Sequence, residues 1–234
     1  VRDQVQAARF AYIIASLDPS GSVLDRFCEA SRVMLGAEGT AITVYYGEPQ
    51  RHTASSTSTL ALMIEEAQEV AGEGPGFEAA RTGHVVFADF GASEGTPWLA
   101  LNDCVAKFGF AGTVLALPIT AHGRRMGVLV AHTFAPSHAF DAAAAHYLAY
   151  ALGPVLLDHI SPEALEAELT EDWSSRAVVH QATGMLIFDL RISAEDALAL
   201  LRAHAYATDS TLLEVAVQVV DKDLEFDNLS MEGD

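Results

Sequence analysis

Cysteine is almost absent from this chain: Cys28 and Cys104 are the only two among 234 residues. Two isolated thiols without C-x-x-C spacing build neither a zinc site nor a disulfide framework. Both are expected as small core-filling side chains, because free cysteine is among the most buried residue types. Long apolar runs are missing as well. No stretch approaches the ~18 residues of a membrane span. The alanine-rich segment 140–157 comes nearest, and Asp141, His146, Tyr147, Tyr150, Gly153 and Pro154 interrupt it. A secretory signal, with a charged segment followed by an apolar one, is not evident at the start. These absences point to a soluble cytoplasmic protein with no membrane partner. Half of the residues are hydrophobic, enough for a sizeable core.

Positive charge is also scarce. Thirteen Lys and Arg face 32 Asp and Glu, a formal charge of −19. Such a chain does not gather phosphate backbones by bulk electrostatics. The imbalance is sharper from Ser161 onward, where Arg176, Arg191, Arg202 and Lys222 stand against sixteen acidic residues.

Signatures of catalysis are absent too. The Gly72-Glu-Gly-Pro-Gly76 run lacks the Gly-Lys-Ser/Thr of a phosphate loop and carries an acid, so it reads as a helix-ending turn. No Ser/His/Asp set or carboxylate pair stands out. His84, His122, His132, His138 and His146 fall on different predicted elements without ligand spacing. The expectation is a non-enzyme with no metal and no evident cofactor.

What is present is a clear succession of elements. Residues 1–17 read as a helix, with Val5, Ala8, Tyr12 and Ala15 at helical spacing. Ser22 with Asp25 three residues on signals a capping box, followed by a core stripe of Val23, Phe27, Ala30 and Met34. Residues 40–46 and 51–58 read as strands, the second polar and at an edge. Helices are expected at 60–70 and 77–81, a strand at 84–88, and a helix from Pro97 to about Lys107. Residues 113–119 and 126–134 read as two strands joined by a hairpin at His122-Gly-Arg-Arg. A long helix spans 140–159, and Ser161-Pro162-Glu163 caps a new one. Tyr45 and Trp98 are core-fillers by size, with a pocket-lining role as the alternative.

This interleaving argues an α+β domain with an antiparallel sheet flanked by helices over residues 1–160. An all-α three-helix domain over 161–234, with an acidic tail, follows it. In that second part, Val179, Ala182, Leu186 and Leu190 share one face of the first helix. Ser193 caps the second helix, with the stripe Ala197, Leu200, Leu201 and His204. Thr211 and Glu214 form a capping box for the third, with Leu212, Val215, Ala216, Val219 and Val220. The small residues Ala182, Gly184, Ala197 and Ala216 suit close helix approach.

Several N-terminal stretches resemble a GAF domain: Val23-Leu-Asp-Arg-Phe-Cys-Glu-Ala-Ser, Gly72-Glu-Gly-Pro-Gly, Ala80-Arg-Thr-Gly-His-Val-Val, and Gly112-Thr-Val-Leu-Ala-Leu-Pro-Ile with Gly127-Val-Leu-Val-Ala-His. The resemblance implies an unidentified small-molecule ligand and dimerisation through terminal helices. Bilin attachment needs a suitably placed cysteine; where a related pattern often has one, this chain has Gly76, and Cys104 is the remaining candidate. A homodimer is expected, with 142–157 and the helix starting at Glu163 in the contact. Ala145, Leu148, Ala149, Leu152 and Leu156 are its apolar face.

The C-terminal stretch 172–228 resembles the ANTAR domain, through Arg176, Gln181-Ala182, Gly184, Ala197, Leu201-Arg202, Ala207, Leu212 and Val215-Ala216. That resemblance implies antitermination of transcription by binding paired RNA hairpins as a dimer. Arg176, His180, Gln181, Thr183, Arg191 and Arg202 are the implied RNA-facing residues. The chain departs from the family where charge matters: Thr183 stands in the usual lysine position, and Asp209-Ser-Thr replaces Asn-Arg or Asn-Lys. A continuous helix would couple the two domains. The competing reading is a ligand-sensing or protein-interaction dimer whose C-terminal domain has lost RNA binding.

Overall fold

The computed structural model describes residues 2–47, 50–91, 96–135, 139–159, 173–224 and 226. The chain divides into two compact units, 1–164 and 165–234. The first unit runs α1 (Arg2–Ser16), α2 (Val23–Leu35), β1 (Gly39–Gly47), β2 (Gln50–Ser56), α3 (Thr59–Ala71), α4 (Pro75–Thr82), β3 (Val86–Phe90), α5 (Leu99–Lys107), β4 (Gly112–Ala121), β5 (Arg124–Thr133) and α6 (Ala142–His159). The strands form one sheet in the order β2-β1-β5-β4-β3, antiparallel at every step.

Both faces of the sheet are covered. Leu115, Leu117 and Ile119 of β4 belong to the main core with Ile42, Leu129 and the inward residues of α1, α2 and α6. Val114 and Ala116, which alternate with them, are fully buried on the opposite side, where α3 and α4 pack. Burial on both faces explains why β4 and β5 read as nearly unbroken apolar runs. The polar β2 is an edge strand, where charged and hydroxyl side chains discourage pairing with another chain. The β4–β5 hairpin closes with His122 and Gly123 both at positive φ, 50° and 74°. A two-residue turn of this kind matches the right-handed twist of its strands.

Three expectations about helix faces need correction. On α1 the inward residues are Phe10 and Ile13, and the Val5/Ala8/Tyr12/Ala15 stripe points outward, Val5 being 61% and Tyr12 77% exposed. On α2 the core stripe is Leu24, Cys28, Ser31 and Leu35 together with Ala30 and Met34, whereas Val23 is exposed and Phe27 half-buried. On α6 the face expected to meet a second copy is the one that seats the helix on its own sheet. Ala145, Leu148, Leu152 and Leu156 are buried there and Ala149 is half-buried. Gly153 lets that contact close: a Cβ there would lie 2.1 Å from the Thr120 carbonyl oxygen.

The second unit contains α7 (Trp173–Leu190), α8 (Ala194–Thr208) and α9 (Leu212–Val220). Residues 160–172, with the expected helix start at Glu163 and the coupling helix, lie outside the described residues. Ser193 accepts from the Asp196 N–H, and Thr211 with Glu214 forms a complete capping box. Ala182, Leu186, Ala197, Leu201, Val215, Ala216 and Val219 are buried between the three helices, while Val179, Leu190, Leu200, His204 and Val220 are only half-buried. Gly184 faces open space instead of a neighbouring helix. No described helix is long and apolar enough to cross a membrane.

One buried group gives the first unit a pH response. His132 of β5 is 3% exposed, edge-on to Phe110 and Phe134. Burial lowers its pKa from 6.5 to about 4. The unfolded chain therefore takes up this proton first as pH falls, so stability is lost from about pH 6.5 down to about pH 4. Thermal midpoints measured across that window should fall for the native chain and fall less steeply for His132→Leu.

Candidate functional site

The most constrained polar arrangement in the first unit lies between the sheet and α3. Tyr45, Thr43 and Ala41 alternate along β1 on the face that α3 covers. Arg51 sits opposite Tyr45, and Thr53 opposite Thr43, on β2. Glu65 and Gln68, three residues apart on α3, point at them. The Glu65 carboxylate accepts from Arg51 Nη2 and from Thr43 Oγ1, and from Gln68 Nε2 at 2.5 Å. Gln68 Oε1 in turn accepts from the Gly76 N–H at 2.7 Å. The Arg51 guanidinium lies 4.3 Å from the centre of the Phe77 ring on α4. Three elements, β1, β2 and α3, thus meet at one carboxylate, and α4 joins them through Gln68 and Arg51.

Gly76 is the last residue of the glycine-rich run, and a Cβ there would sit 2.9 Å from Gln68 Oε1. The run therefore stops α3 and brings its own backbone against the network.

The side chains of Arg51 and Glu65 are 4% and 0% exposed. Burial works against the Arg51 charge, but Glu65 first, with Tyr45 and Glu69, outweighs it and the guanidinium pKa is raised. Burial likewise pushes the Tyr45 hydroxyl upward. Arg51 Nη1 and the Tyr45 hydroxyl are buried and have no hydrogen-bond partner among the described residues. An orphaned buried polar group costs about 1–3 kcal/mol.

Among the described residues the thiols and histidines form no comparable site. Cys28 is fully buried, hydrogen-bonds near Thr40 and Ser55, and burial raises its pKa to about 11. A reactive thiol needs the opposite environment. Cys104 is buried. Among the described residues no three His, Cys, Asp or Glu side chains are grouped to hold a metal. His138 lies outside them.

In the second unit the six residues expected to face RNA lie on α7, just past its end and on α8. Arg176, His180 and Thr183 share one stripe of α7 by their spacing, but the Arg176 side chain lies outside the described residues. His180 and Gln181 are exposed. Thr183 is half-buried and its hydroxyl donates to the Val179 carbonyl at 2.7 Å. Arg191 follows the end of α7 at φ 56°, eight residues past Thr183 and so about 12 Å along the helix. Arg202 belongs to α8 and is half-buried.

Two features escaped the sequence reading. Glu65 and Gln68 continue the Ala61/Ile64 stripe of α3, and a carboxylate on an apolar stripe was the available signal. Phe188 is 83% exposed on α7 beside Ile187. Its spacing from Gln181 and Gly184 puts it on their face, and a pattern that assigns apolar residues to cores hides it.

Comparison with known proteins places these units. Residues 20–152, more than half of the chain, match the model of the GAF domain, and residues 167–220 match that of the ANTAR domain. No curated relative matches the chain. Among solved structures, the chain is similar to a domain of a putative two-component sensor histidine kinase protein from Sinorhizobium meliloti 1021. That match has 15% identity, covers 60% of this chain and 93% of that one, and has a TM-score of 0.45. It is also similar to the GAF domain from an Acinetobacter phosphoenolpyruvate-protein phosphotransferase, at 16% identity, 66% and 94% coverage and a TM-score of 0.44. Both likenesses are slight.

The buried pair generates a stability prediction. Removing one partner strands a charge, which typically costs about 3–5 kcal/mol, whereas replacing both with apolar side chains is close to neutral. Glu65→Ala should lower the stability of the first unit by that amount in denaturant titration. The double variant Arg51→Met/Glu65→Leu should recover most of it.

Proposed function

Because the chain belongs to the GAF domain family and carries an ANTAR domain at residues 167–220, we propose that it is a bacterial signal-responsive regulator that antiterminates transcription by binding hairpin RNA. The ANTAR match carries this reading, since that domain stands for RNA-binding antitermination, and GAF domains stand for ligand sensing. Both are regulatory and non-catalytic, which fits a protein that is not an enzyme. The absence of a membrane-length apolar helix among the described residues fits action in the cytoplasm. The working division is a sensory unit over 1–160 and an RNA-binding unit over 161–234.

Hairpin loops are read by stacking and by hydrogen bonds to unstacked bases, with basic side chains on the phosphates. His180 and Gln181 are exposed for such contacts; Arg176, Arg191 and Arg202 are the proposed phosphate partners, and Thr183 marks a place where a positive charge is lacking. The acidic balance supports a second reading, a sensing dimer whose ANTAR domain does not hold RNA. The exposure of Ile187, Phe188, Leu213 and Val217 supports it too.

Titration of the full chain with a tandem-hairpin RNA at several salt concentrations separates the two readings. On the first, binding is measurable and weakens as salt rises. Thr183→Lys should tighten it and steepen the salt slope by about 0.7–0.9, the contribution of one phosphate contact, and Arg176→Ala should do the reverse. Unchanged affinity and slope in Thr183→Lys would remove this face from the RNA interface.

The chain is further proposed to be a homodimer. Its contact is better assigned to the outward stripe of α1 than to α6, whose apolar face is used within the unit. Val5 and Tyr12 stand one above the other on that stripe and are mostly exposed. Light scattering should give a dimer mass for the native chain and a monomer mass for Tyr12→Glu. A monomeric native chain at micromolar concentration would end this assignment.

A further inference from the structure

Three buried hydrogen-bond donors in the first unit have no acceptor among the described residues: Arg26 Nε, Arg51 Nη1 and the Tyr45 hydroxyl. Arg51 Nη1 and the Tyr45 hydroxyl are each shut off from solvent and lack a partner among the described residues. They belong to residues placed directly opposite each other across β1 and β2. Their surroundings do not supply what they need. Glu65, the carboxylate on Arg51, is already bound by Arg51 Nη2, Thr43 and Gln68. Gln68 Oε1 is engaged by the Gly76 N–H. Arg125 brings a second guanidinium, anchored by Nη1 to the Ala80 and Arg81 carbonyls at the end of α4. Among the described residues, the charges acting on the Tyr45 hydroxyl are those of Arg51, Glu65 and Arg125, and Glu69 acts on Arg51 from α3.

We propose that Arg51 Nη1 and the Tyr45 hydroxyl form the recognition end of a binding site for a small organic carboxylate, one carboxylate oxygen accepting from each. A carboxylate offers two acceptor oxygens in one plane, and a guanidinium N–H and a hydroxyl on two residues paired across neighbouring strands can each donate to one of them. The neighbouring contacts hold the donors in place: Arg51 is fixed by Glu65 on one side and by the Phe77 ring on the other, so the guanidinium is already oriented before a ligand arrives. Because both donors are buried, entry requires a local opening, which couples occupancy to the packing of β2, α3 and α4. The proposal rests on reading the first unit as a ligand-sensing domain and names the chemistry that this domain would sense.

The experiment uses the full chain, with acetate and succinate as probes and acetamide and sodium chloride as controls, read by thermal midpoint and by calorimetry. Tyr45→Phe removes only the hydroxyl. Arg51→Met/Glu65→Leu removes the guanidinium without stranding the carboxylate. At least one carboxylate should bind the native chain and raise its midpoint, while the controls leave it unchanged. Tyr45→Phe should weaken that binding about tenfold, the worth of one hydrogen bond to a charged group. The double variant should abolish it while keeping a cooperative unfolding transition.

A carboxylate that binds all three proteins equally overturns the site. A native chain that binds neither probe overturns the assigned ligand class. In that case a cyclic nucleotide that binds and shifts the midpoint leaves the ligand-sensing reading standing. If no member of a broad small-molecule panel binds, both fall.

Discussion

The first unit depends on a sheet that is covered on both faces. Such a sheet has no wet side, so every polar group pointing into either layer must find its partner within the protein. On the α1/α2/α6 side most of the layer is apolar, and buried hydroxyls there donate to backbone carbonyls, Ser31 to Phe27 and Thr40 to Cys28. On the α3/α4 side the requirement is met by the Glu65 carboxylate, which takes three donors from three elements. The two sides therefore differ in kind. One is a packed core whose stability grows with area removed from water. The other is a polar assembly that remains stable only while its members stay matched.

That difference places the sensitive region of the unit. A packed apolar layer changes by losing volume, which is costly and graded. A buried ion pair changes by losing a partner, which is abrupt, because the remaining charge has nowhere to go. Arg51 lies on the edge strand β2, which is paired on one side only, so the network joins the least supported strand to α3 and α4. A molecule that offers or removes an acceptor there acts on three elements through one guanidinium. A bistable contact with a differential ligand interaction is the physical requirement for a sensor.

Much of this architecture was legible in the chain. The β-branched and apolar runs of β4 and β5, the His122-Gly123 turn, the polar edge strand and the Ser22, Ser193 and Thr211 caps each have a local cause, and each appears where the pattern put it. Helix faces were less legible. The sequence of α1 is apolar on two sides, so spacing alone does not say whether Phe10/Ile13 or Val5/Tyr12 turns inward; the tertiary contact with α2 and α6 decides. On α6 an apolar face was visible, but whether its own sheet or a second copy covers it depends on Gly153 and its approach to β4. The buried network was hidden for a different reason. A carboxylate on an amphipathic helix is ordinarily solvated, and only the placement of Arg51 and Thr43 across from it reveals that Glu65 is held inside. The RNA-facing set came from family resemblance, and its residues lie on two helices and a helix end, so charge and spacing alone do not define a single patch.

On the RNA-binding reading, the same scarcity of cations shapes how affinity would be reached. The second part of the chain has four basic residues among sixteen acids, so each ANTAR unit makes few counterion-releasing contacts and binds a single hairpin weakly. Weak single sites become useful when two are linked, because the second engagement is intramolecular and gains from effective concentration. Tandem hairpins and a dimer are matched in this respect. Control then falls naturally on geometry: a signal that changes whether both sites of a dimer can be occupied at once alters binding far more than one that adjusts a contact within either. On that reading, a sensory unit whose α1 exposes Val5 and Tyr12 and whose buried ion pair joins β2 to α3 would regulate through that geometry, without any need for a strongly basic surface.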